Sequence, residues 1–290
     1  MIMISPMRSV LYMPAANPRV LEKARSLPAD AIIFDLEDAV APDLKTDARK
    51  RACDAVRTGA YGRRTVVVRI NGVDTPWGEE DLAAVSDASP DAILVPKINT
   101  AEEVADLSRT IAAGNAHTKL WVMVETPLAV LNIAAIAAAG TAPHSRLACL
   151  VLGTNDLVKE TGARITPGRA SLTPWLSQAV CAARAYGLAV LDGVYNDFAD
   201  AAGLEAECRH GRDLGMDGKT LIHPGQIDIC NEVFSPSAED LARARRIAGE
   251  FDRPENAAVN VLSIDGQMVE RLHADMARRT IAIAEAIALA

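Results

Sequence analysis

Eight short apolar runs, rich in valine, isoleucine and leucine, recur along the chain at near-even spacing: residues 9–13, 31–34, 65–70, 92–95, 120–124, 147–152, 188–191 and 219–222. Continuous apolar runs of this length, separated by stretches of helical periodicity, read as strands buried on both faces and joined by crossover helices. The intervening stretches 17–27, 44–59, 100–114 and 167–187 fit that role. Pro18 and Pro224 stand early in their segments, and Gly59, Gly114 and Gly187 stand late. Thr100 and Glu103 have the spacing of a capping box. Eight βα units close into a (β/α)8 TIM barrel, an α/β fold whose reactive groups gather where the strands end. Nearly every run here ends in, or leads into, a charged or polar residue: Asp35, Glu37, Asp38, Arg69, Lys97, Glu125, Asp156, Asp192 and His223. The pattern predicts an enzyme with carboxylates, an arginine and a lysine around one mouth.

No low-complexity linker interrupts residues 8 to 235, so 1–235 is expected to form one catalytic barrel. Residues 236–290 are then a C-terminal extension, packing on the barrel mouth or on a neighbouring subunit. Within it, NVLSIDGQMV reads as a small strand-turn element and 268–289 as a long helix. An apolar share of 50% with only 4% aromatic residues implies an aliphatic and alanine core. The net charge of −8 argues against nucleic acid as a partner, although a local basic pocket could still hold a small anion. Five cysteines with no CxxC pair suit reduced thiols. The first ten residues are too short for a secretory apolar region, and the alanine-rich 131–140 is too short to span a bilayer. A soluble, cytoplasmic protein with no membrane partner is expected.

Five constellations carry candidate chemistry. Glu125 and Asp156 follow adjacent strands, where two carboxylates can share one cation. Oxygen ligands without a His/Cys cluster favour Mg²⁺; the competing reading is a helix cap plus a salt bridge. FDLEDAV (34–40) places three acids at a strand end, which could support metal-bound waters, orient a basic side chain or form a solvated loop. Arg69 sits inside an apolar strand and needs a counter-anion, either a substrate carboxylate or an ion pair to Glu37 or Asp38. A basic start with Arg8, Tyr12, Pro14, Asn17, Arg19, Lys23 and Arg25 suits a phosphorylated ligand, or is a solvated helix face. GKTLIHPGQI (218–227) could build a phosphate or cofactor wall after the eighth strand, with His223 read as a packed loop residue. No P-loop or GxSxG elbow competes with these.

Seven of these segments, in this order, resemble the citrate lyase beta subunit family of the HpcH/HpaI aldolase superfamily, which includes malyl-CoA and citramalyl-CoA lyases. They are RSVLYMPA (8–15), FDLEDAVAPDLKTDAR (34–49), VRIN (68–71), VPK (95–97), ETP (125–127), GTNDL (153–157) and GKTLIHPGQ (218–226). The resemblance implies a Mg²⁺-dependent carbon–carbon lyase that cleaves a 3-hydroxyacyl-CoA into acetyl-CoA and a 2-oxo acid. It makes Glu125 and Asp156 the metal ligands, and it sets Arg69 on the oxo-acid half of the substrate, beside Glu125. Glu37 and Asp38 fall next to the metal waters. Tyr12, Pro14, Lys23 and Pro224 line the CoA channel. It also implies a homo-oligomer, a trimer or hexamer whose C-terminal segment covers a neighbour's site and supplies an aspartate as acid/base. Here that segment reads GQMVERLHADM (266–276), with Glu270 in place of the aspartate and Leu272 in place of a proline. The extra methylene shifts the carboxylate's reach, which leaves room for hydrolysis of a malyl-CoA-type thioester instead of cleavage. A class II 2-oxo acid aldolase not using CoA and a non-catalytic acyl-CoA-binding protein are the rival classes.

Overall fold

Strand β1 (Ser9–Pro14) runs parallel to both β2 (Ala31–Asp35) and β8 (Gly218–Leu221), and the second pairing, Ser9 opposite Lys219, closes the sheet. The computed structural model describes residues 6–289. Its first eight strands form one closed parallel barrel in chain order. After β1 and β2 come β3 (Thr65–Arg69), β4 (Ala92–Val95), β5 (Lys119–Val124), β6 (Leu147–Leu152) and β7 (Ala189–Asp192). The helices between and after the strands are α1 (Pro18–Ala24), α2 (Lys45–Thr58), α3 (Gly78–Ala88), α4 (Ala101–Gly114), α5 (Pro127–Ala138), α6 (Thr154–Thr161), α7 (Thr173–Ala185), α8 (Ala201–Leu214) and α9 (Ile227–Phe234).

Strand side chains alternate between two faces, and both faces are apolar here, as a parallel sheet covered by helices requires. The inward set is Val10, Ala31, Ile33, Val67, Ala92, Leu94, Trp121, Met123, Cys149, Val151 and Leu191, which pack as one core inside the barrel. Continuing each alternation by one step leads to Tyr12, Asp35, Arg69 and Glu125. Polar chemistry therefore begins where this inner apolar core ends.

Local signals explain most helix boundaries. Thr100 and Glu103 form the expected capping box on α4. Gly59 ends α2 in the left-handed conformation that glycine tolerates without strain (φ 64°). One expected helix starts late. Residues 167–172 stay irregular because Gly168 and Arg169 both have positive φ (79° and 51°), so α7 begins only at Thr173. Arg169 is held there by burial: its guanidinium donates to Asp192 Oδ1 at 2.8 Å. Lys219, fully buried on β8, donates to the other Asp192 oxygen at 3.2 Å and to Glu207 at 2.6 Å. Helix α1 also stops earlier than its periodicity suggests, at Ala24.

Contacts divide the chain into two compact units. One is Met7–Glu232, which holds the barrel, and the other contains Val233–Ala290. In the second, α10 (Ala238–Phe251), β9 (Val261–Ile264), β10 (Gln267–Glu270) and α11 (Arg271–Leu289) enclose a small core of Ile247, Ala248, Phe251, Val269, Ala274 and Ala277. The strand-turn element is present as the β9–β10 hairpin. The long helix begins at Arg271 rather than 268, because Met268, Val269 and Glu270 pair with Ser263, Leu262 and Val261. No described helix is long and apolar enough to cross a membrane.

Candidate active site

Asp35 closes β2 directly opposite Arg69 of β3 in the strand register. The two make a bidentate pair: Arg69 Nε donates to Oδ1 and Nη2 to Oδ2, both at 2.7 Å. Both residues are buried. Such charge-assisted forks are geometrically rigid, and the Tyr12 ring supports the guanidinium from one face at 4.7 Å. Burial raises the Tyr12 hydroxyl above its ordinary range, which keeps it protonated. Asp35 also accepts hydrogen bonds from the Glu37 and Ala39 backbone N–H groups, at 2.9 and 3.2 Å, and so shapes the acidic loop after β2. The sequence offered Arg69 either a substrate carboxylate or an ion pair to Glu37 or Asp38. Both are close, at 2.7 and 3.6 Å from Nη1, but the fork belongs to Asp35. Glu37 Oε2 lies off the N–H direction, so at 2.7 Å it makes a Coulombic contact without a hydrogen bond.

Glu125 follows β5 and is 2% exposed. Its Oε1 accepts from the Lys97 backbone N–H at 2.8 Å. Lys97 holds a left-handed conformation (φ 55°), unusual for a residue with a side chain. Gly153, after β6, leaves the space in which the Glu125 carboxylate lies: a Cβ there would stand 2.4 Å from Glu125 Cβ and 2.5 Å from Oε2. Gly153→Ala is therefore expected to displace this carboxylate while keeping the fold. Calorimetric Mg²⁺ affinity should fall by about 10–100-fold, the effect usual for altered ligand support, with an unchanged circular dichroism spectrum.

Asp156 sits in the first turn of α6, whose cap residue Gly153 provides no side-chain hydrogen bond. The leading N–H groups of this helix therefore remain available to an anion. They border a cavity of about 340 Å³ lined by Tyr12, Pro14, Asp38, Arg69, Asn155 and Asp156, among others. Glu125 is pushed up to about 8, first by burial and then by the nearby Glu37 and Asp156 carboxylates. Glu37 is pushed up to about 7 by burial, against the pull of Arg69 and with added repulsion from Asp38 and Asp35. Carboxylates held this far from their ordinary range cluster at functional sites.

The donor set fits a hard divalent cation. Among the described residues no cluster of three or more His, Cys, Asp or Glu side chains is arranged as a metal cage. Mg²⁺ characteristically takes only one or two carboxylates and fills its octahedron with water and substrate. Asp35, Glu37, Asp38, Glu125 and Asp156 crowd Arg69 and Lys97, and the repulsion of Glu37 and Asp156 adds to burial in raising Glu125. A divalent ion held by Glu125 and Asp156 would relieve that repulsion.

Lys23 is exposed in the last turn of α1, and Pro224 opens the turn after β8; neither lines the cavity. His223 caps that same turn, accepting from the Gly225 N–H at 3.1 Å, and stacks on Phe198. Glu270 belongs to the C-terminal unit, where its N–H donates to His273 Nδ1 at 2.9 Å. Asp35, one of the three acids of FDLEDAV that the sequence offered as supports for metal waters or for a basic side chain, orients Arg69, although the sequence did not single it out as the arginine's partner.

The family model described as HpcH/HpaI aldolase/citrate lyase matches residues 8–224. The chain belongs to this family. Among curated members of the HpcH/HpaI aldolase/citrate lyase family, (3S)-malyl-CoA thioesterase of Cereibacter sphaeroides is 50% identical over 283 residues, covering 98% of this chain and 96% of that protein. Citrate lyase subunit beta of Escherichia coli is 33% identical over 285 residues, covering 96% and 93%. Among solved structures, CitE of Mycobacterium tuberculosis, in complex with magnesium, acetoacetate and coenzyme A, superposes with a TM-score of 0.78 at 29% identity, covering 97% of this chain and 98% of that one. A citrate lyase of Burkholderia xenovorans shares the fold, with a TM-score of 0.84 at 19% identity, covering 99% and 94%.

Proposed function

We propose that this enzyme uses Mg²⁺, held by Glu125 and Asp156, to hydrolyse the thioester of a malyl-CoA-type 3-hydroxyacyl-CoA. The observation that carries this reading is the 50% identity, over 98% of the chain, to proteins named (3S)-malyl-CoA thioesterase. The geometry supports it. Arg69 presents the donors that Asp35 leaves free to a substrate carboxylate, and the first turn of α6 adds N–H groups on the same cavity. When bound, Mg²⁺ supplies Lewis acidity that polarises the oxygens of substrate and water. Glu37, half-buried with a pKa near neutrality, accepts the proton of the attacking water and passes it to the departing thiolate sulfur as the C–S bond breaks. Tyr12 keeps the guanidinium flat against the wall, which orients the acyl chain for attack. The CoA moiety is substrate here, and the expected assembly is a homo-oligomer.

Carbon–carbon cleavage is the second reading, favoured by the 33% identity to citrate lyase subunit beta. It would need a carbon acid, the role that family resemblance gives to Glu270. The two readings differ in products. With (3S)-malyl-CoA and Mg²⁺, hydrolysis releases one free thiol and one malate per substrate consumed. Cleavage releases acetyl-CoA and glyoxylate and no thiol. Thiol titration beside chromatography of the acyl-CoA pool separates them, and turnover to neither product set would reject both.

A further inference from the structure

The side chains on the cavity wall that carry N–H or O–H donors are Tyr12, Arg69, Thr154, Asn155, Asn196 and Thr220. Most are already engaged. Arg69 donates to Asp35 through Nε and Nη2, and to Met123 Sδ, at 3.8 Å, through Nη1. The Asn155 and Asn196 amides bond each other reciprocally, at 3.1 and 2.8 Å. The Thr220 hydroxyl donates to the Asp192 carbonyl at 2.9 Å. The hydroxyls of Tyr12 and Thr154 make no hydrogen bond among the described residues. Polar groups withdrawn from bulk water normally find a partner, so each of these two is a donor poised for whatever occupies the cavity.

The two hydroxyls stand on different sides of that cavity. Thr154 opens α6 two residues before Asp156, beside the carboxylates proposed to hold Mg²⁺. Tyr12 belongs to β1, and in the closed strand order β1 stands across the barrel from β5, which leads into Glu125. The Arg69 guanidinium braces the Tyr12 ring at 4.7 Å and is itself fixed by Asp35. Burial outweighs the pull of Arg69 and keeps the phenol protonated. Tyr12 is thus a neutral O–H donor on an oriented ring, the kind of group that stabilises developing charge without having to reorganise. A malyl thioester whose hydroxy-acid end lies on the Glu125 and Asp156 side carries its thioester carbonyl one methylene further on. We propose that Tyr12 is a catalytic residue whose hydroxyl donates to the thioester oxygen and stabilises the negative charge that gathers there. In hydrolysis the water oxygen bonds to the acyl carbon and the C=O π pair moves onto this oxygen. The pair returns as the C–S bond breaks and the sulfur takes the water's proton. In carbon–carbon cleavage the pair from the broken bond forms the new C=C bond, and the same oxygen carries the enolate charge. Tyr12 keeps its proton in both. The proposal rests on the reading of a malyl-CoA-type substrate and holds whichever bond breaks.

Tyr12→Phe is the test, because phenylalanine keeps a ring against Arg69 and removes the hydroxyl alone. With (3S)-malyl-CoA and Mg²⁺, kcat should fall by about a hundredfold, the scale of losing one oxyanion donor. KM and calorimetric Mg²⁺ affinity should stay at their wild-type values. A tyrosine that did no more than brace the arginine would leave kcat unchanged in this variant. A second readout is independent of turnover: the infrared carbonyl band of bound acetyl-CoA, labelled with carbon-13 at the thioester, should shift to lower frequency in wild type and lose that shift in Tyr12→Phe. An unchanged kcat, a fall matched by lost Mg²⁺ affinity, or the same carbonyl band in both proteins overturns the proposal. Product analysis keeps the substrate reading separate. Wild type that converts (3S)-malyl-CoA to neither product set defeats that reading and the proposal with it, whereas either product set formed at equal kcat by wild type and variant defeats the role of Tyr12 alone.

Discussion

Replacing Glu125 by glutamine is expected to lower Mg²⁺-dependent turnover by about a thousandfold, the scale of removing one strong charge-stabilising group from an active site. The barrel should stay folded, because Glu125 is an electrostatic liability in the metal-free protein: burial and neighbouring carboxylates push it up to about 8. The sign of the linkage follows. A carboxyl group whose folded pKa is raised binds more protons folded than unfolded, so metal-free stability falls as pH rises from the ordinary carboxylate range towards 8. Glutamine removes the Glu125 share of that decline, leaving the smaller one due to Glu37, and Mg²⁺ offsets it in the wild type by mass action. The same protons compete with the cation, so Mg²⁺ affinity should weaken below about pH 8 and binding near pH 7 should release protons. Calorimetry in two buffers of different ionisation enthalpy reads that release directly. Wild-type thermal stability that fails to fall with pH, or a glutamine variant that still releases protons like wild type, would count against this placement of the metal.

The second large effect is at Arg69. Arg69→Lys keeps the charge and loses the planar fork, so Asp35 can no longer be held by two parallel bonds from a group that also lines the cavity. We expect kcat/KM for a malyl-CoA-type substrate to fall by about a hundredfold, equivalent to roughly 3 kcal/mol, within the range for truncating a buried charge pair. Arg69→Met removes the cation altogether and leaves Asp35 buried against an apolar neighbour. It should cost more in turnover and also lower the melting temperature, since an unpaired buried carboxylate is destabilising. Steady-state kinetics and thermal melts separate the two consequences. Near-normal kcat/KM in the lysine variant would show that the ligand's carboxylate binds elsewhere.

Much of this architecture was legible in the chain. Eight apolar runs became eight strands, and the segments expected to carry chemistry, FDLEDAV, VRIN, ETP and GTNDL, all reach the barrel mouth. The helix expected from 167 failed because Gly168 and Arg169 turn left-handed, and Arg169 tolerates this only through its buried bonds to Asp192 and Glu207. Nothing local to PGRASL encodes a partner on β7 and α8. Met268 failed as a helix start for a similar reason, since its pairing with Ser263 competes with helical hydrogen bonding.

The chain's own pattern established where the strands lie and that acids, Arg69 and Lys97 follow them, because strand ends are written in local hydrophobicity. It could not show which side chains point inward. Both faces of a parallel barrel strand are apolar, so the two-residue alternation leaves no trace in composition. Only closure of the barrel separates Val67–Arg69 and Ile33–Asp35 from their neighbours and sets Asp35, rather than Glu37, in the arginine's fork. Burial was equally out of reach: Glu125 and Lys45 read as ordinary charges until packing removes their water, and it is that loss of solvent which raises the first carboxylate and obliges the second residue to grip a loop through the Leu36 and Glu37 carbonyls.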